Sequence, residues 1–151
     1  MPAILRNTLA LIAGVVIGGV ANMTIVSVSG SIIPLPEGVN PEDIESLKAS
    51  IHLFEPKHFL MPFLAHAVGT FVGAFIASYI AVSRKMILAM IIGCFFLAGG
   101  IMMVQMLPGP LWFTFVDLGL AYIPMGFMGW KLAESLPDLK RNFIIKSDLN
   151  T

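Results

Sequence analysis

The chain has 151 residues, 57% hydrophobic and 12% charged, with nine basic and nine acidic side chains and so no net formal charge. That balance excludes an ordinary soluble domain, and the absence of a basic cluster argues against a nucleic-acid partner. The length leaves room for one helical domain, and the single cysteine, Cys94, excludes an intrachain disulfide and reads as a small buried apolar residue.

Four apolar stretches, 9–33, 59–82, 86–107 and 111–132, account for most of the chain. Each is long enough for a helix rising 1.5 Å per residue to cross a hydrocarbon core of roughly 30 Å. The predicted fold is therefore an all-α membrane protein, a four-helix antiparallel transmembrane bundle of residues 1–135 followed by a cytoplasmic tail, 136–151. Arg6 and the small-residue step Gly19-Val20-Ala21 raise a cleavable signal peptide as an alternative for the first stretch. The apolar run continues past Ala21 to Ile33, which argues for a membrane span instead.

The outer loop, 34–58, opens with an extended turn at Pro34, Pro36 and Gly38. Asn40 is the expected helix N-cap, with Pro41 at the first helical position and Glu42 and Asp43 favoured by the helix dipole. Ile44, Leu47 and Ile51 recur at helical spacing, which predicts a short amphipathic helix lying on the mouth of the bundle or on the membrane surface. Five acids against two bases give this loop a charge of −3, so an acidic funnel for cations is the sharper reading. The loop between the second and third stretches carries Arg84 and Lys85, and the turn between the third and fourth is Pro108-Gly109-Pro110.

Lysines and arginines in short loops set orientation. Arg6, Arg84, Lys85, Lys131, Lys140, Arg141 and Lys146 fall on one side of the four spans, and Lys48 and Lys57 on the other. Seven against two places both termini in the cytoplasm, with the 34–58 loop outside. The expected location is the bacterial plasma (inner) membrane. Span count alone is shared with many small proteins and names no family.

Small residues line the spans at helical intervals. Gly14, Gly18 and Asn22 share a face of the first, Gly69 and Gly73 a face of the second, and Gly93 and Gly100 a face of the third. Such stripes let backbones approach closely where lipid supplies no hydrophobic drive, either within the bundle or between two copies.

Asp117 is the one formally charged residue set within a span, since Lys131 sits at an end. A carboxylate in lipid is costly and usually kept for a reason. His66 lies about 12 Å below the outer end of its span and Asp117 about 9 Å below the end of its own, counted at 1.5 Å per residue. Similar depth allows an imidazole N–H to donate to the carboxylate. With Asn22, Thr24, Thr70 and Thr114 in reach, the pair suggests a polar pocket for a proton or ligand, open to the outside. A simple helix-joining hydrogen bond is the plainer alternative. Pro124 cannot donate back to Leu120, so the fourth span is expected to kink and to face Asp117 inward.

His58 and His66, with Met102, Met103 and Met106, invite a soft-metal reading, but no dense ligand motif accompanies them and gap-filling methionine is the commoner use. The chain carries no nucleophile elbow, zinc-hydrolase pair or phosphate loop, so neither an enzyme nor a cofactor is indicated. Three readings follow: a non-enzymatic membrane protein packing with itself or within a larger complex, a small transporter or ligand-binding bundle around His66 and Asp117, and a metal- or quinone-linked redox protein.

Overall fold

The computed structural model describes residues 2–136, so the expected tail lies outside the described residues apart from Leu136. Helix α1 spans Ala3–Ile32, and a loop carrying the short helix α2, Ile44–Ser50, leads to α3, Leu60–Ile80. Helix α4 spans Lys85–Met106, α5 Leu111–Leu120 and α6 Ile123–Ser135. No strand occurs among the described residues. Four helical stretches, Ala3–Ile32, Pro56–Ile80, Lys85–Met106 and Leu111–Ser135, are long and apolar enough to cross a membrane.

The first helix starts six residues before the apolar run, at Ala3 rather than Leu9. Its polar first turns stay helical because their side chains find partners on the neighbouring turn. The Arg6 guanidinium Nε donates to the Ile80 carbonyl at 2.8 Å, Asn7 Nδ2 donates to Ser83 Oγ at 3.0 Å, and the Val82 amide donates to Asn7 Oδ1 at 3.1 Å. These bonds fasten the start of α1 to the end of α3. The connection to α4 then turns through Arg84, whose φ of 53° lies in the left-handed region.

Helix α2 begins three residues later than expected. Asp43, not Asn40, is its N-cap and accepts from the Glu45 amide at 3.0 Å. Asn40 Oδ1 instead accepts from the Glu42 amide two residues on, closing an Asx turn that holds Pro41 outside the helix. Both residues are good caps, and the turn takes the first while the helix takes the second. After α2 the chain makes 3₁₀ turns at Ile51–Leu53 and Pro56–Phe59 before entering α3.

Helix α3 is the centre of the molecule, packing along α1, α6 and α4. Its α1 seam pairs the two glycine motifs face to face. A Cβ on Gly14 would lie 2.6 Å from the Gly73 carbonyl oxygen, and one on Gly18 2.6 Å from that of Gly69. Neither motif is therefore free to serve as a dimer face; both are used within the chain. Gly129 of α6 meets the Phe71 carbonyl of α3 and Gly126 meets the Ala89 carbonyl of α4, two close approaches the sequence reading did not single out. The interior is built of Ala10, Ala65, Ala74, Ala77, Ala89 and Ala121, whereas large side chains such as Ile12, Val20, Phe95 and Phe115 face outward. That distribution suits a bundle whose surroundings are as apolar as its core. Cys94 is exposed on this outer surface rather than buried.

The last apolar stretch is two helices, not one kinked one, and runs on to Ser135. The break falls at Ala121 and Tyr122, just ahead of Pro124 near the start of α6. Without an amide hydrogen, Pro124 cannot bond back to Leu120, and its ring crowds that carbonyl.

Candidate functional site

Where α5 diverges from α3, a cavity of about 240 Å³ opens at the end of the bundle that carries the 34–58 loop. Helix α1 contributes Val26 and Ser29 to it, α4 contributes Gly100, Met103 and Val104, and Leu107 follows from the turn after α4. Ile51 and Phe54 fold over it from the loop, so the connection after α2 forms part of the cavity wall. Pro62 and His66 line it from α3, and Phe113, Thr114 and Asp117 from α5. Its walls are apolar and aromatic, with the ionisable groups confined to His58, His66 and Asp117.

His66 and Asp117 meet. His66 Nδ1 lies 2.9 Å from Asp117 Oδ1 and 3.0 Å from Oδ2. Nδ1 therefore carries the hydrogen that the carboxylate accepts. The Asp117 side chain is 2% exposed and that of His66 20%, so the carboxylate sits behind the imidazole and the ring keeps an open edge. With Nδ1 engaged, Nε2 is the nitrogen left to exchange hydrogen bonds or protons with the cavity.

A third group completes the cluster. The Tyr122 hydroxyl donates to Asp117 Oδ2 at 3.1 Å, and its ring lies against His66 with centroids 5.6 Å apart. The helix break positions it, and Gly100 makes its room: a Cβ there would stand 2.6 Å from Tyr122 Cζ. The sequence held a signal for this residue, a tyrosine deep in an apolar run five residues after the buried acid, because a buried phenol needs a hydrogen-bond partner.

The other expected residues divide. Thr114 lines the cavity but spends its hydroxyl on the Pro110 carbonyl at 3.5 Å. Asn22 is not brought to the pair; its Cβ packs on Gly69, where an added Cβ would come within 2.8 Å. Thr24 bonds to Val20 of its own helix at 2.8 Å. Thr70, one turn along α3 from His66, is fully buried and its hydroxyl has no partner among the described residues.

His58 is buried at the cavity mouth. Its Nδ1 accepts from the Glu55 amide at 2.8 Å, capping the Pro56–Phe59 turn and leaving one ring nitrogen uncommitted. Among the described residues no three of His, Cys, Asp and Glu converge as metal ligands would. Gly93 packs on the Tyr122 carbonyl, so the small face of α4 serves the helix break. Compared with protein-family models, curated proteins and solved structures, the chain matches none.

Proposed function

We propose that this chain is an integral membrane protein that binds a proton and a small ligand in the His66–Asp117 cavity, as a transporter or ligand-binding bundle rather than an enzyme. The observation that carries this reading is the carboxylate of Asp117, 2% exposed and held by two donors, at the inner end of a cavity of about 240 Å³. A bond that merely joined helices needs no cavity beside it. Burying a charge in an apolar bundle is costly, which favours a role that uses the charge.

The bundle is antiparallel in this reading, with both termini in the cytoplasm of a bacterial plasma membrane and the cavity open to the outside. Arg6 sits beside the end of α3 and the Arg84–Lys85 turn, gathering basic residues at one end as the orientation rule expects. In a Cys94→Ala background, Glu45→Cys is expected to react with an impermeant thiol reagent from outside, and Arg141→Cys only after the membrane is opened. The opposite labelling overturns the orientation.

Binding is tested by Trp112 fluorescence in a Trp130→Phe background, because the Trp112 ring lies 5.6 Å from that of Phe59 at the cavity. A panel of single-ring compounds, cationic, neutral and anionic, is expected to give saturable quenching by at least one class. Val104→Phe, which fills the cavity, is expected to abolish it. No saturable binding by any class, or binding indifferent to Val104→Phe, refutes the reading.

A second reading, assembly with another copy or a larger membrane complex, draws support from α1. Its buried residues are confined to Ala10, Gly14 and Gly18, while Val16, Val20 and Met23 stand bare on the other side. Crosslinking in native membranes, followed by mass measurement in mild detergent, distinguishes an assembly from a monomer.

A further inference from the structure

Resting on the pocket reading above, we propose that the ligand is a small lipophilic organic cation, an ammonium on a single-ring or similar apolar body, taken up in exchange for one proton from His66. Three features of the cavity converge on this class.

First, charge must balance inside the bundle. A lone Asp117 carboxylate in an apolar interior is costly, and an imidazolium at His66 brings the pair to zero. A ligand cation does the same work once that proton leaves. Because Nδ1 is held by Asp117 at 2.9 Å, the proton that departs is the one on Nε2. The Nε2–H bond breaks, the proton passes to water at the mouth, and the Nδ1–H bond to Asp117 is kept. Before and after exchange the site holds one positive and one negative charge. The titratable groups facing the exchange are Asp117 from α5, Tyr122 from the helix break and His58 at the mouth of α3; the lining from α1 and α4 contains none.

Second, the walls suit a cation with an apolar body. Phe54, Phe59 and Phe113 line the cavity, and aromatic faces attract ammonium groups while tolerating hydrocarbon. A hard metal ion would need a shell of oxygen ligands that these walls do not offer.

Third, the 34–58 loop, which lends Ile51 and Phe54 to the cavity wall, is acidic. Glu45 pairs with Lys48 at 2.8 Å and Glu55 with Lys57 at 3.1 Å, so the loop's excess negative charge rests on Glu37, Glu42 and Asp43. Negative charge on a loop at that end of the bundle raises the local concentration of cations and repels anions.

The experiment uses the full chain in lipid nanodiscs, with benzyltrimethylammonium as probe and neopentylbenzene, its uncharged isostere, as control. Both are corrected for partition into empty nanodiscs. The cation is expected to bind at least tenfold more tightly than the isostere and to release close to one proton per site into a weakly buffered medium carrying an indicator dye. Cation affinity is expected to fall as the pH is lowered, with a limiting slope of about tenfold per pH unit for a one-for-one exchange. Asp117→Asn should lose at least tenfold in cation affinity together with the proton release. If that variant does not fold, Phe113→Leu decides: cation binding should weaken several-fold while the isostere is unaffected. Equal affinity for cation and isostere, or binding without proton release, overturns this inference and leaves the pocket reading intact. Saturable binding by neither compound, nor by any anionic ring compound, overturns both.

Discussion

Gly18→Ala adds one methyl group at one of the two tightest points of the α1–α3 seam. Its Cβ would stand 2.6 Å from the Gly69 carbonyl oxygen, where ordinary contact begins at 3.4 Å, so the helices must part by about 0.8 Å. The obstacle is backbone on the partner helix and has no rotamer to yield. Overpacking of this kind costs about 1–3 kcal/mol, offset by about 0.5–1 kcal/mol from replacing a helical glycine. The midpoints of those ranges leave a net loss of about 1.3 kcal/mol, close to a tenfold drop in the folded-to-unfolded ratio. Gly19→Ala supplies the control one residue along the same helix, since a Cβ there meets nothing within 4 Å. It should be neutral or slightly stabilising. Helicity followed by circular dichroism during titration with a denaturing detergent measures both. Gly14→Ala combined with Gly18→Ala should cost less than the sum, because the helices part only once. The packing argument is refuted if Gly18→Ala is tolerated as well as Gly19→Ala. Sensitivity at Gly19 alone would mean that α1 meets a partner on its other face.

Tyr122→Phe removes one of the two donors to Asp117 and should cost about 1.5–3 kcal/mol in the same titration, the usual worth of a hydrogen bond to a charged group. Gly100→Ala pushes on the Tyr122 ring and should disturb the same carboxylate, read as a shift in the His66 imidazole resonances by NMR. Arg84→Gly relieves a φ of 53° and should stabilise the chain by about 0.5–1 kcal/mol, measured as a raised unfolding midpoint.

The four long apolar helical stretches were legible because apolar run length maps directly onto helix length. The level of His66 and Asp117 was legible for a related reason: a helix rises by a fixed amount per residue, so depth can be counted. What the count does not hold is rotation and neighbourhood. Asn22 lies on the glycine face of α1, and that face is turned to Gly69 rather than to the cavity. The two glycine motifs announced a close seam without naming its partner, since the pairing depends on which spans are adjacent. Tyr122 was missed because hydrophobic patterning treats tyrosine as another apolar ring, although its hydroxyl is the second donor to the acid. The cap of α2 was misplaced because Asn40 and Asp43 are chemically equivalent choices, and only the geometry of the Pro41 turn separates them.

The break at Ala121 and Tyr122 gives α5 a mechanical character of its own. Ten residues long, it is a lever of about 15 Å that packs on α3 far less than α6 does. Its fulcrum is the broken turn, and Asp117 is the pin that fastens it, through His66, to the central helix. A swing of about 10° about that fulcrum carries its far end at Leu111 by about 2.6 Å, by simple lever arithmetic on that length. Phe113 and Thr114 sit on this arm, so its angle to α3 sets the width of the cavity they line. Distances between spin labels at Leu111 and Leu60 are expected to broaden in Asp117→Asn relative to the parent chain, and an unchanged distribution would show that the pin does not hold the arm.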